Sequence, residues 1–343
     1  MPRRLAAPAL LLALAAACGG TGMPAPAPPL PVKTWTWVDV PGTQCSDGSA
    51  TGLAVSPGTD GTTVVFLDGG GACWDTLTCF TFHLAKPGPY AQAQWDAETR
   101  IPGSLLDRAL PGSPFADATL VFVPYCTGDE HWGDATQDYP QAPRPWHHHG
   151  AENLRADVAW LGDHLPAPQK LVVSGSSAGG YGALLAFDLA RQRWPEGGGY
   201  LVDDAGPPLV GDDIRPEERA LWTVAWRLDR TLLQLCPDCA LDLSEIVPVL
   251  AARHPGDRLA LLSSRQDEVI RAFLLLEPAA FEQALLRLVD ERFADPGTAA
   301  FLVPGSDHAL LQAPAGYTAG DVPLPEWLRR MVEDDPAWGT AGR

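Results

Sequence analysis

Residues 170–187, KLVVSGSSAGGYGALLAF, constrain this chain more than any other stretch. Leu171, Val172 and Val173 make a short apolar strand, and the small and apolar residues from Gly180 onward predict a helix directly behind it. Between the two stands Gly175-Ser176-Ser177-Ala178-Gly179, a Gly-x-Ser-x-Gly turn. A strand-to-helix turn this sharp leaves room only for glycine at its flanks and lifts the central serine out of the turn. Ser177 is therefore the expected nucleophile. A serine hydroxyl is weak unaided, so the pattern calls for a base, a carboxylate to orient it and donors for an oxyanion.

The same grammar recurs along the chain. Apolar, β-rich runs at 63–67, 120–123, 171–173, 200–202, 259–262 and 300–303 predict strands, and helical patterns are expected over 151–164, 180–192, 216–235 and 269–289, the last broken at Pro278. Such alternation implies a mostly parallel sheet with right-handed crossovers and helices on both faces. Ligands of these sheets bind outside the carboxyl ends of the strands. That rule singles out Asp68-Gly69-Gly70-Gly71, Tyr125-Cys126, Ser177, Asp203-Asp204, Asp267 and His308.

Among eight histidines, His308 follows a late strand and is the expected base. His147, His148 and His149 compete, but they precede Ser177, whereas an α/β-hydrolase runs serine, acid, histidine. As adjacent residues they diverge, so no metal site is expected from them. For the acid, Asp267 fits best, between a strand and a helix; Asp203, Asp204 and Asp307 are the alternatives. Gly69-Gly70-Gly71 after the first parallel strand lets backbone amides approach closely, so Gly70, Gly71 and Ala178 are the expected oxyanion donors. No cofactor is required by this chemistry. Trp74, Trp132 and Trp146 either line the rim, where they would stack on a sugar, or fill the core.

The amino terminus reads as an export signal over residues 1–17: Arg3 and Arg4 precede an apolar run too short to span a bilayer. Cleavage there would leave Cys18 first, in a lipobox-like context, with ordinary signal cleavage the alternative. Residues 18–31, rich in proline and glycine, are expected to tether a single catalytic domain over 32–343. The formal charge of −18 disfavours nucleic acid and anionic membrane surfaces, leaving the lipid anchor as the expected membrane contact. Apart from Cys18, six cysteines remain at 45, 73, 79, 126, 236 and 239, an even number that reads as a disulfide framework. Cys73 with Cys79 and Cys236 with Cys239 are local pairs, which leaves Cys45 with Cys126, although roughly fifteen connectivities exist for six cysteines. The Cys236-Pro-Asp-Cys239 motif also admits redox or zinc chemistry.

Several blocks in order, CSDGSATG from Cys45, LDGGGACWDTLTC over 67–79, VPYCTGD from Val123 and GSSAGG from Gly175, followed by a late Asp and His, resemble the pectin acetylesterase (Notum-like) family. The resemblance implies an α/β-hydrolase-like fold and a serine esterase that removes acyl groups from hydroxyls. It places the nucleophile, acid and base on Ser177, Asp267 and His308, and implies the Cys73–Cys79 and Cys45–Cys126 pairs. The chain departs from the family at two points. Plant members commonly read GGGWC where this chain has Gly71-Ala72-Cys73, and carry a cysteine beside the catalytic histidine where Asp307 and Ala309 stand. Notum-like members have Trp at the position of Gly71, beside a fatty-acyl pocket, so a long-chain substrate does not carry over. The expected substrate is a short acyl, above all acetyl, ester of a carbohydrate or similar small molecule, acted on by an exported monomer. A lipase- or thioesterase-like activity on longer chains and a non-catalytic binding lipoprotein are the alternatives.

Overall fold

The computed structural model describes residues 29–343; the expected signal segment, Cys18 and the tether as far as residue 28 lie outside them. The six apolar runs all become strands of one eight-stranded sheet, joined by two strands at the amino-terminal edge. In chain order the strands are β1 (Thr36–Gln44), β2 (Ala50–Ser56), β3 (Thr62–Leu67), β4 (Thr119–Val123), β5 (Ala135–Gln137), β6 (Trp146–His148), β7 (Lys170–Ser176), β8 (Gly198–Asp204), β9 (Arg258–Ser264) and β10 (Thr298–Val303), followed by a short antiparallel pair, β11 (Thr318–Ala319) and β12 (Val322–Pro323). Their order in the sheet is β1-β2-β4-β3-β7-β8-β9-β10, while β5 and β6 form a separate antiparallel ladder. From β4 to β10 every pairing is parallel; β1 and β2 pair antiparallel at the edge.

Successive side chains of a strand point to opposite faces, and each strand divides its apolar residues accordingly. Val65, Val121, Val173, Leu201, Leu261 and Leu302 enter one core cluster; Val64, Leu120, Val172, Val202, Leu262 and Phe301 enter the other. The first face is covered by helices Gly150–His164, Ala178–Arg193 and Pro278–Arg292, through Leu154, Leu184, Phe187 and Phe281. The second is covered by helix Leu324–Val332 and the loop holding Leu105, Leu106 and Phe115. A strand buried on both sides needs a continuous apolar run, which is why these six were readable. Each side chain so buried contributes about 1.5–3 kcal/mol.

β1 and β2 were not foreseen. Pro41 and Gly42 interrupt β1, whose register shifts between Asp39 and Gln44, and proline is tolerated there because the strand is at the edge. The expected helix over 216–235 is also corrected: it ends at Trp226, and Arg227 adopts a left-handed φ of 56°. Trp226 is drawn inward, its indole donating to Cys73 O at 2.8 Å, and Leu228 and Leu232 are buried in the turns that follow. Tertiary anchoring here overrides the local helical pattern. The expected break at Pro278 is present, with Glu268–Phe273 before it and Pro278 opening the next helix. Three disulfides join Cys45 to Cys126, Cys73 to Cys79 and Cys236 to Cys239, the pairing anticipated. The first closes a separation of 81 residues, a constraint on the unfolded chain of about 4–5 kcal/mol in the loop-entropy account.

Candidate active site

Ser177 sits between β7 and helix Ala178–Arg193 with φ 60° and ψ −123°, a conformation that side chains other than glycine rarely adopt. The flanking glycines make this possible. A Cβ on Gly175 would lie 2.1 Å from Gly179 O, and one on Gly179 would lie 2.1 Å from Leu67 O, so helix, elbow and β3 touch backbone to backbone. The Ser177 amide donates to Asp204 O at 2.7 Å, which fixes the turn and removes that amide from any oxyanion role.

Asp267 lies after β9 and caps helix Glu268–Phe273, its Oδ1 accepting from the amides of Val269 and Ile270 at 2.9 Å each. The carboxyl is fully buried, and His308 Nδ1 lies 2.8 Å from its Oδ2 and 3.0 Å from Oδ1. A carboxylate on Nδ1 selects the tautomer in which Nε2 accepts a proton. His308 lines one cavity with Ser177, although their side chains are not hydrogen-bonded to each other in this structure. Such contacts often tighten only when substrate is bound.

The glycine loop after β3 is pinned by its carbonyls. Gly70 O accepts from the Lys86 amide at 2.8 Å and Gly71 O from the Tyr125 hydroxyl at 2.7 Å. Gly71 has φ 75°, and a Cβ there would lie 1.9 Å from Leu84 O, so only glycine fits. The amides of Gly70, Gly71 and Ala178 have no protein acceptor among the described residues. Ala178 opens its helix, where amides lack an intrahelical partner and the dipole favours negative charge.

The alternative acids have other work. Asp203 Oδ1 accepts from the Gly206 amide at 2.9 Å. Asp204 accepts from Ser176 Oγ at 2.6 Å and from the amides of Leu310 and Leu311 at 2.9 Å each. It thus braces the elbow against the segment that carries His308. Burial pushes the Asp204 carboxyl up to about 6, an effect its three hydrogen-bond donors and His308 partly offset. Among the described residues, Asp307 accepts a side-chain hydrogen bond from the Tyr317 hydroxyl alone, at 3.3 Å.

The histidine triplet lies on and just after β6, away from Ser177. His147 and His149 both reach Thr136 Oγ1 at 3.0 Å, while His148 is buried against the Tyr139 hydroxyl at 2.7 Å. The His148 ring also lies beside Cys73 and Cys79, but those sulfurs are joined in a disulfide. Of the three tryptophans, Trp132 and Trp146 are core residues, 0% and 1% exposed, and only Trp74 lines a pocket.

Two features escaped sequence reasoning. Asp68, directly after β3, receives both guanidinium nitrogens of Arg100 at 2.7 and 3.0 Å and Lys86 Nζ at 3.4 Å. Arg100 also binds Glu98; burial alone would raise the Glu98 carboxyl, but the Arg100 hydrogen bonds outweigh it and hold it below its ordinary value. Lys86 and Arg100 stand 18 and 32 residues from Asp68 in no motif, so no sequence signal announced them. The other is His131, whose buried Nε2 lies 3.0 Å from Asp68 O; burial pushes its imidazole down to about 4, leaving it neutral beneath the loop.

A mostly parallel sheet with helices on both faces, a serine on a strained elbow after a central strand, and an acid and a histidine after β9 and β10 define an α/β-hydrolase-like protein. Among solved structures, the Wnt deacylase Notum from Drosophila superposes with a TM-score of 0.65 at 20% identity, over 89% of this chain and 97% of that one, and shares the fold. The family model described as Pectinacetylesterase matches residues 33–220. The chain belongs to the pectinacetylesterase family. Curated relatives include the palmitoleoyl-protein carboxylesterase NOTUM of Schmidtea mediterranea, 28% identical over 44% of this chain, and that of Drosophila melanogaster, 31% identical over 43%. Pectin acetylesterase 11 of Arabidopsis thaliana is 28% identical over 50%. The matched segments span 29%, 23% and 44% of those relatives, less than half of each.

Proposed function

We propose that this protein is a serine carboxylic-ester hydrolase that removes short acyl groups from the hydroxyls of a carbohydrate or similar alcohol. The observation that carries the reading is the pairing of a strained, cavity-lining Ser177 with His308, itself held on a buried Asp267 at 2.8 Å. His308 Nε2 takes the Ser177 proton as Oγ attacks the ester carbonyl, and Asp267 stabilises the imidazolium. The oxyanion is received by the amides of Gly70, Gly71 and Ala178, each such donor being worth about 10²–10³ in turnover. His308 then protonates the departing alkoxide, and water, deprotonated by the same imidazole, releases the acid from the acyl-enzyme.

Family membership supports the reaction class, and three disulfides support an exported protein. We assign residues 1–17 to the signal and Cys18 to a lipid anchor on the tether. The catalytic domain begins near residue 32, although Leu30 already packs on the core. A second reading, longer acyl chains, is favoured by an apolar groove lined by Trp74, Phe82, Leu84, Phe273 and Leu275, which shares Trp74 and Phe273 with the pocket beside Ser177.

Hydrolysis of p-nitrophenyl esters from acetate to palmitate, by the wild type and Ser177→Ala, tests both. Rapid acetate cleavage that falls at least about 10⁴-fold in the variant supports the short-acyl esterase. An optimum at long chains transfers the substrate to lipids. Equal rates for the two folded proteins on every ester would remove the enzyme reading in favour of a binding lipoprotein.

A further inference from the structure

The pocket beside Ser177 is lined by Gly71, Ala72, Trp74, Tyr181, Ile270 and Phe273, yet it also carries two polar groups that the ester chemistry leaves unused. Glu130 is 6% exposed, and its Oε2 has no hydrogen-bond partner among the described residues. Trp222, 5% exposed, likewise has an unpartnered indole Nε1. Buried polar atoms are almost always paired, because leaving one unpaired forfeits its hydration. Both residues line the cavity next to the nucleophile, so a ligand entering it is placed to complete them. Tyr181 offers a contrast in the same pocket: its hydroxyl is satisfied by Pro207 O at 3.0 Å.

The backbone does not require either group. The Glu130 amide is held by the Tyr125 hydroxyl at 2.9 Å, so the side chain caps nothing. Burial, with Asp129 and Glu218 nearby, pushes the Glu130 carboxyl well above its ordinary value. Burial thus favours the protonated form, in which the carboxyl donates one hydrogen bond and accepts another. The Trp222 indole only donates. A hydroxyl is the small group that satisfies both, accepting from the indole while exchanging donor and acceptor roles with the carboxyl.

We infer that Glu130 and Trp222 determine specificity, and that the pocket takes a short acyl group bearing a hydroxyl, as in a 3-hydroxyacyl ester, in preference to a plain alkyl one. The inference rests on the reading that Ser177 is acylated beside this pocket. An apolar wall discriminates weakly by size, whereas a site built to hydrogen-bond a substrate hydroxyl penalises the analogue that lacks it by leaving its own groups unpaired.

The test is kcat/KM for ethyl 3-hydroxybutyrate against ethyl butyrate, followed by proton release, in wild type, Glu130→Leu, Glu130→Gln and Trp222→Phe. Wild type is expected to favour the hydroxy ester by about tenfold or more. Glu130→Leu and Trp222→Phe should each bring the ratio towards one, mostly by slowing the hydroxy ester, while Glu130→Gln, which still donates and accepts, retains the preference. A wild-type ratio of one or less overturns the inference even if a variant fails to fold. So does an unchanged ratio in folded Glu130→Leu. With p-nitrophenyl acetate alongside, cleavage of acetate and butyrate without hydroxyl preference defeats this inference alone, whereas no cleavage above Ser177→Ala defeats the esterase reading and this one with it.

Discussion

Two cavities meet at Ser177, and they are built oppositely. On one side, Trp74, Trp222, Ile270 and Phe273 make an apolar wall with Glu130 set into it. On the other, Asp68, Lys86, Arg100 and Gln312 make a charged wall that also includes His308. The apolar side suits an acyl group, which must leave water to reach the oxyanion donors. The charged side suits a hydrated alcohol, whose hydroxyls can trade water for fixed donors and acceptors. Although the whole chain carries −18, Asp68 on this wall is paired with Lys86 and Arg100, and Arg100 pairs in turn with Glu98. These ion pairs offset part of the acidic charge beside the site.

The difference can be sharpened by variants that act on both sides or on one. The largest effect is expected for Asp267→Asn, which turns the amide towards His308 and disfavours the tautomer with a free Nε2. Turnover should fall by about 10⁴ for every ester, with unchanged preference for acyl group and alcohol, read from kcat/KM across a substrate matrix. A shift in preference would mean that Asp267 belongs to one wall and not to the shared machinery.

Next is the brace at Asp204. Asn can accept at one oxygen only and would set an NH₂ against a Leu310 or Leu311 amide, so kcat should fall about ten- to a hundredfold on both sides with KM little changed. Its titration gives an independent signature. The carboxyl ionises near 3.8 when unfolded and about 6 when folded, so between those pH values the folded chain holds more protons. Stability from this group is fully present below about pH 4 and falls, by about 3 kcal/mol, as pH rises to 6. Other buried acids, Glu130 among them, also contribute stability that falls as pH rises, so thermal unfolding at pH 4 to 7 should decline more steeply in the wild type than in Asp204→Asn; parallel curves would refute the assignment.

The smallest effect is expected for Arg100→Gln. It leaves Asp68 buried with Lys86 as its remaining ion pair and should cost about 2 kcal/mol in denaturant unfolding, the partial exposure of Arg100 moderating the loss. Activity should change a few-fold with the alcohol and not with the acyl chain. Equal loss on acyl-varied substrates would erase the division between the two walls.

Legibility followed the range of the interactions. Ser177 was readable because strand, turn and helix lie within eighteen consecutive residues; Gly175 is required by a contact inside the turn, with Gly179 O, whereas Gly179 is required by Leu67 O on β3. The six parallel strands, β10 at the edge included, were readable because burial on both faces demands unbroken apolar runs. β1 was not, because an edge strand tolerates the Pro41-Gly42 interruption that looks like a loop. The end of the helix at Trp226 was hidden too, since its cause is a hydrogen bond to Cys73, 153 residues away. Tryptophans illustrate the limit well: Trp74, Trp132 and Trp146 were indistinguishable as letters, and only packing sent two to the core and one to the pocket.

By itself, then, the amino-acid order determined the parallel α/β architecture, the elbow and the closeness of Cys73 to Cys79, because each is written in local periodicity, in glycine at a sterically closed turn, or in short spacing, whereas the Cys45–Cys126 pair spans 81 residues. Tertiary structure alone decided that His308 reaches Asp267, that Asp204 ties Ser176 to the segment carrying His308, and that Glu130 and Trp222 line one pocket. Those pairings join residues 28 to 107 positions apart or on unrelated loops, and their energies depend on burial, a property no residue has until the sheet has closed around it.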